Sequence, residues 1–240
     1  MLSVIIPTLN EEKNLPSLLA SLTEDKLDNV EIIIADAGSK DKTVEIAKSF
    51  GCKVTKGGLP AVGRNEGVKA ASGDVFLFLD ADLKLPAHFL KNSIAEFESK
   101  KFGIASYNLY PIKGNIWLNR FTICLFYNWQ QHLLKKAFPM GAMGIMVKKD
   151  IFNQVGGFDS TIKLAEDVYF VGQAAKLGKF GIIRSTVIYM PTRRFDKDGY
   201  FRTGWKYLRC AIQMATKGPA REECFNYKFD HYDEENNKKG

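Results

Sequence analysis

Two carboxylates close the run Val75-Phe76-Leu77-Phe78-Leu79-Asp80-Ala81-Asp82, and their type and spacing suit them to bind a metal ion. The five apolar residues are bounded by Ser72-Gly73-Asp74 upstream and by Pro86 downstream. So short a run without polar alternation predicts a strand buried on both faces. Ligands of open α/β sheets sit outside the carboxyl ends of such strands. If the chain stays extended, Asp80 and Asp82 point the same way, and like charges placed together need a cation between them. Hard oxygen ligands of this kind suit Mg²⁺ or Mn²⁺ bridging to a substrate phosphate. The plainer alternative is a solvated, Asp-rich turn.

The elements that must hold these carboxylates follow a regular rhythm. Leu2–Ile6 reads as the first strand, and Pro7–Glu12 as a turn entering a helix with Leu15, Leu18, Leu19 and Leu22 on its apolar face. Val30–Ala35 is the second strand, ending at Asp36-Ala37-Gly38-Ser39, and Asp41 is placed to cap a helix over Lys42–Phe50. Cys52–Lys56 reads as a strand, Arg64–Ala71 as a helix, Val75–Leu79 as a strand, and Pro86 as the opening of a helix to about Lys100. Alternation of this kind predicts a mainly parallel central sheet with helices on both faces, a Rossmann-like half. The second half is less regular. Strands are expected at Gly103–Leu109, Gly144–Lys148, Phe180–Ile183 and Val187–Tyr189, the last two flanking a break at Arg184. Helices are expected over Ile116–Phe138, Lys149–Val155 (ending at Gly156-Gly157), Glu166–Lys176 with Gly178 as its C′ residue, and Tyr200–Ala215. No linker is evident. Residues 1–221 read as one domain, with a nucleotide half to about 112 and an acceptor half from 113, and 222–240 as a charged, at least partly disordered tail.

Composition narrows the function classes. The chain has 240 residues, 45% hydrophobic and 25% charged, an ordinary globular balance. Phe121–Trp129 is too short to span a bilayer. Pro7 interrupts the first apolar run and no basic stretch precedes it, so it does not read as a signal peptide. Cys52, Cys124, Cys210 and Cys224 lack metal or disulfide spacing. A cytoplasmic location is expected, with peripheral contact at the cytosolic membrane face. The net charge of +7 suits an anionic substrate or surface. No basic-aromatic module supports a nucleic-acid partner. A P-loop, a Gly-x-Gly-x-x-Gly turn and a Gly-x-Ser-x-Gly elbow are all missing from the sequence.

Five motifs remain, in order: Val4-Ile5-Ile6-Pro7-Thr8-Leu9-Asn10-Glu11-Glu12; Asp36-Ala37-Gly38-Ser39 with Asp41-Lys42-Thr43; Arg64-Asn65-Glu66-Gly67; Asp80-Ala81-Asp82; and Gly156-Gly157-Phe158-Asp159 ahead of Glu166-Asp167. Together they resemble the family 2 glycosyltransferases of the GT-A fold, over roughly Leu2 to Phe195. The resemblance implies inverting transfer of a sugar from a UDP- or GDP-linked donor. Two departures stand out. Many members carry Asp where this chain has Ala37, which puts more of the base contact on Asp36. The Gln-x-x-Arg-Trp of processive synthases is replaced by Arg193-Arg194-Phe195, which implies a non-processive enzyme.

On this resemblance Asp82 and Asp80 hold Mn²⁺ or Mg²⁺ against the diphosphate. Pro7, Thr8, Glu11, Asp36 and Arg64 bind the nucleotide, with Asp80 beside the donor. Arg193 and Arg194 read as a phosphate clamp or as surface basic residues. Asp167 is the candidate general base, and Glu166 beside it orients the acceptor or holds local structure. On the residues alone, an acidic first turn of a helix accounts for both. A hydroxyl acceptor (a glycan, a lipid-linked glycan or an alcohol) is expected, because a base is wasted on a lipid phosphate. Arg193-Arg194 pulls toward the phosphate alternative. A sugar nucleotidyltransferase is the enzymatic runner-up, and a non-catalytic lectin-like relic the other. Aromatic and basic residues crowd Ile116–Lys136 and Tyr200–Arg209, which suits either a membrane interface or a cover over the sheet.

Overall fold

The computed structural model describes residues 1–112, 124–134, 139–162 and 165–191, with isolated positions at 205, 209, 218, 219 and 221. Its first half follows the predicted alternation: β1 (Leu2–Thr8), α1 (Leu15–Thr23), β2 (Val30–Asp36), α2 (Thr43–Ser49), β3 (Lys53–Lys56), α3 (Pro60–Lys69), β4 (Val75–Leu79) and α4 (Phe89–Ser99). There follow β5 (Ile104–Pro111), a π-helical turn over Cys124–Trp129 leading into α5 (Gln130–Leu134), β6 (Gly144–Lys148), α6 (Lys149–Val155), α7 (Glu166–Leu177) and β7 (Phe180–Met190). Most of the expected helix over Ile116–Phe138, all but two residues of the one over Tyr200–Ala215, and the charged tail lie outside the described residues.

Among the described residues the strands form one seven-stranded sheet in the order β3-β2-β1-β4-β6-β5-β7. β3, β2, β1 and β4 are mutually parallel. β6 runs antiparallel to both β4 and β5, and β7 returns parallel to β5. The chain winds outward from β1 in both directions, so the crevice above the carboxyl ends of β1 and β4 is the topological switch point. Side-chain alternation splits the core in two. Val4, Ile6, Leu77 and Leu79 face α1 and α4. Ile5, Phe76 and Phe78 face the other way, onto Phe152 of α6, Phe158 and Phe170 of α7. Phe158 stacks on Phe170 with centroids 4.2 Å apart and meets Phe78 edge-on at 4.9 Å. β4 is therefore buried on both faces, as its composition predicts.

Several local expectations need correction. α3 begins at Pro60 rather than Arg64, so Arg64 lies inside the helix. α4 begins at Phe89, because His88 takes a left-handed conformation (φ 57°) and breaks the chain after Pro86. Asp41 lies one residue outside the cap position of α2 yet still accepts the Thr43 N–H at 3.0 Å. β7 is continuous; the expected break at Arg184 is a register shift, with Tyr107 paired to Ile183 and Leu109 to Ile188. The freed N–H groups of Arg184 and Ser185 donate to Glu96 Oε2 at 2.9 and 2.7 Å. Gly178 is extended, not left-handed; a Cβ there would lie 2.3 Å from Ile151 Cδ1, so close packing is what requires glycine.

Glycine also seats α3 on the sheet. A Cβ on Gly67 would lie 2.4 Å from Cγ2 of fully buried Ile5, a β-branched side chain with little room to turn. Gly67→Ala should therefore lower unfolding stability by about 1–2 kcal/mol, because overpacking outweighs the gain in helix propensity. Denaturant unfolding read by circular dichroism checks this; a stabilised variant would show that α3 is not pressed onto β1.

Candidate active site

Three strand ends supply the first residues of the site. Thr8 and Asp36 face each other in register at the ends of β1 and β2. Asp36 Oδ1 accepts from the Thr8 hydroxyl at 3.0 Å and from the Ser39 hydroxyl, and Oδ2 accepts the N–H groups of Gly38 (2.9 Å) and Ser39 (2.8 Å). Gly38 takes φ +98°, which its lack of a Cβ permits. The carboxylate thus closes its own turn, and a base N–H would compete with these four bonds. The loop after β1 is pinned to the same turn. Asn10 N–H donates to Ser39 Oγ (2.9 Å), Lys40 N–H to Asn10 Oδ1 (2.9 Å), Glu11 N–H to Thr43 Oγ1 (2.7 Å) and Glu12 N–H to Asp41 Oδ2 (3.0 Å). Glu11 also accepts from the Asn14 amide at 2.7 Å. Pro7 lies under α3, where a Cβ on Gly63 would approach it to 3.1 Å.

The chain does not stay extended beyond β4. The strand stops at Leu79 and residues 81–82 form a turn, so the shared direction expected of Asp80 and Asp82 does not come from strand geometry. Asp80 instead points across to α3, where Arg64 Nη2 donates to its Oδ1 at 3.1 Å. Arg64 Nη1 donates to Glu166 Oε1 at 2.7 Å. The guanidinium is buried, so the solvated-surface alternative for this residue is excluded. Its carbon lies 5.2 Å from the centroid of the Phe158 ring. One cation therefore ties the end of β4 to the first turn of α7, and Arg64 reaches Glu166 across 102 positions of sequence. The loop after Asp82 is tied down as well: Lys84 and Tyr189 exchange both backbone hydrogen bonds, at 2.9 and 3.0 Å. Arg193 and Arg194 lie outside the described residues.

Asp167 follows Glu166 on α7. Burial pushes its carboxyl up, the neighbouring Glu166 carboxylate adds to this and Asp80 adds a little more, while Arg64 opposes; the result is about 7. Asp167 Oδ1 accepts the Val168 N–H at 2.7 Å. Three carboxylates around one guanidinium leave the site with excess negative charge, which a divalent cation would relieve. Among the described residues no three His, Cys, Asp or Glu side chains gather into a complete metal cage. The donor set of Asp80 and Asp82 fits Mg²⁺ or Mn²⁺, which bind through one or two carboxylates and complete their shell with water and phosphate oxygens.

A scan against protein families matches the description "Glycosyl transferase family 2" over residues 3–156. The chain belongs to glycosyl transferase family 2. Among curated relatives it is 35% identical over 122 residues to 4,4'-diaponeurosporenoate glycosyltransferase of Staphylococcus haemolyticus, covering 46% of this chain and 32% of that protein. It is 32% identical over 170 residues to dolichol-phosphate mannosyltransferase of Pyrococcus furiosus, covering 65% of this chain and 44% of that protein. The chain thus spans less than half the length of either relative. Among solved structures, a mannosyltransferase from Pyrobaculum calidifontis, in complex with GDP-Man and Mn²⁺, superposes with a TM-score of 0.67 at 20% identity, covering 87% of this chain and 60% of that one. The likeness shows the GT-A fold expected from the sequence.

Residue types alone did not expose everything the family 2 chain uses here. Asn10, Ser39 and Thr43 latch the two loops; the sequence places them within the motifs but gives them no role of their own. Asn65, beside Arg64, holds the loop before α7 and gave no separate signal. The raised Asp167 carboxyl makes stability depend on pH. The folded state holds that proton more tightly than the unfolded chain, so its contribution is full below about pH 4 and is lost as pH rises through about 7. Asp167→Asn should therefore match wild type near pH 4 and exceed it near pH 8, by up to about 4 kcal/mol at ~1.4 kcal/mol per pH unit. Denaturant melts across this range test it; parallel stability curves would show that the carboxyl is not displaced.

Proposed function

We propose that this chain catalyses inverting, non-processive transfer of a sugar from a nucleoside-diphosphate donor to a hydroxyl acceptor, within one catalytic domain over residues 1–221. The observation that carries the reading is the Arg64 bridge, which draws the metal-motif carboxylate Asp80 and the Glu166-Asp167 pair to one crevice at the switch point. The family relatives named as glycosyltransferases support it, and so does the structural neighbour's complex with GDP-Man and Mn²⁺. Asp82 and Asp80 hold the ion, which when bound supplies Lewis-acid neutralisation of the diphosphate leaving group. Pro7, Thr8, Glu11 and Asp36 line the nucleotide side. Arg193 and Arg194 supply positive charge for phosphate. The acceptor oxygen attacks the anomeric carbon, the bond to the diphosphate breaks, and the acceptor proton passes to Asp167 at Oδ2. A carboxyl displaced to about 7 is matched to that task near neutral pH. Glu166, engaged with Arg64, holds the geometry.

A second reading, transfer to a polyprenyl phosphate, is favoured by the lipid phosphate in the name of the Pyrococcus relative. That acceptor is already anionic and needs no base. A panel of nucleotide-sugars with Mn²⁺ or Mg²⁺, scored for nucleoside diphosphate release, identifies the donor; pyrophosphate release would indicate nucleotidyl transfer instead. Full activity in EDTA or in Asp82→Asn would remove the metal assignment. With a hydroxyl acceptor, Asp167→Asn should lower turnover by roughly 10²–10⁴ with donor affinity little changed, and wild-type turnover should fall as pH drops below about 7. Near-wild-type turnover in that variant would favour the phosphate acceptor.

Membrane contact is proposed on a specific surface. Trp129, at the end of the π-helical turn, and Leu133, in α5, are exposed at 57% and 62%, with Lys135 and Lys136 following in the sequence. Among the described residues no helix is long and apolar enough to cross a membrane. An exposed aromatic and aliphatic pair beside basic residues suits the face of an anionic bilayer, and the cytosolic face is the one proposed. In flotation with vesicles containing phosphatidylserine, wild type should rise with the lipid and the Trp129→Ser/Leu133→Ser variant should remain below. A wild-type chain that stays in the soluble fraction at low salt would refute the contact.

A further inference from the structure

The loop between α6 and α7 leads into the first turn that carries Glu166 and Asp167. Gly156 and Gly157 both take left-handed backbone conformations, at φ +85° and +83°. After them, Phe158 is buried and is held from outside its own segment. The Asn65 side-chain amide donates from Nδ2 to the Phe158 carbonyl at 2.8 Å, and its Oδ1 accepts the Phe158 N–H at 2.9 Å. One side chain thus satisfies both backbone groups of a residue 93 positions away, as a neighbouring strand would. The fit is close on the other side too: a Cβ on Gly157 would lie 2.7 Å from Asn65 Oδ1. Asn65 itself stands on α3, which Gly63 and Gly67 press onto Pro7 and Ile5 of β1. The neighbouring Arg64 lies over the Phe158 ring while pairing with Asp80 and Glu166.

We infer that Asn65 is a positioning residue: by clamping the Phe158 backbone to α3, it fixes the catalytic helix α7 against the nucleotide half of the site. The physical reason is that Phe158 lies beneath the Arg64 guanidinium that bridges Asp80 and Glu166: its ring is packed on Phe170 and Phe78, and its backbone is held by the Asn65 amide in place of a strand ladder. Only Asn supplies a donor and an acceptor at this reach. Asp offers two acceptors, so its carboxylate would face the Phe158 carbonyl, and Gln is one methylene too long.

The test has two arms. Hydrogen–deuterium exchange needs no substrate. Asn65→Ala and the nearly isosteric Asn65→Asp should each raise uptake severalfold in peptides spanning residues 156–170, with peptides from β1 and β4 unchanged. The activity arm rests on the transfer reading: in the donor panel with Mn²⁺, both variants should lose about 10- to 100-fold in kcat, as expected for slight misplacement of reacting groups, with donor KM within about threefold. Gly157→Ala should raise uptake in the same peptides, and less than additively with Asn65→Ala, because part of its clash is with the Asn65 oxygen. Unchanged uptake over 156–170 overturns the clamp. Uptake raised uniformly across the chain overturns it as well, by making Asn65 a general fold residue. Raised local uptake with wild-type kcat overturns its part in positioning. If wild type releases nucleoside diphosphate from no donor, the transfer reading fails and the exchange arm alone decides the clamp.

Discussion

Burying a guanidinium costs several kcal/mol unless its charge is met by well-placed carboxylates, and removing either side of such a pair leaves the other stranded. Arg64 satisfies that condition with Asp80 from β4 and Glu166 from α7. The remaining architecture serves this contact. α3 must lie close to β1 for Arg64 to reach over the sheet, and glycines at 63 and 67 allow the approach. The Phe158–Phe170 stack gives the guanidinium an aromatic floor and joins it to the core. β4 must end at Leu79 for Asp80 to turn toward α3.

The electrostatics of the site follow from the same contact. One guanidinium cannot balance three carboxylates in a partly desolvated crevice. Asp80 and Glu166 take the ion pairs, and burial, with the Glu166 carboxylate beside it, displaces the Asp167 carboxyl upward. Three acids of like chemistry are thus set apart by environment, two by pairing with the arginine and one by burial.

Elsewhere the fold meets irregular backbone with single side chains. Asn128 donates to the Leu109 carbonyl and accepts its N–H, both at 2.9 Å, where β5 and β7 slip out of register. Glu96 accepts the two N–H groups that the same slip exposes on β7. Asn65 does the same service for Phe158. Buried backbone groups left unpaired are costly, and these side chains let the chain depart from ladder geometry around the site without that cost.

Local pattern in the sequence determined the alternation of the first half, the burial of β4 on both faces, and the clustering of Thr8, Asp36 and Asp80 at strand ends, because period-two apolar runs and short turns are encoded by neighbours. The motif resemblance carried the family. The tertiary structure alone decided that Arg64 is buried, that Asp36 spends its carboxylate on its own turn, that Arg184 marks a register shift instead of a strand end, and that Gly178 serves packing instead of a left-handed cap. Three of these depend on a partner far away in the chain, Glu166 for Arg64, Glu96 for the slip and Ile151 for Gly178, while Asp36 adds one bond from Thr8 of β1 to the local bonds of its turn. Periodicity and turn chemistry report on the few residues around a position, and contacts that close over tens of residues leave no mark in that window.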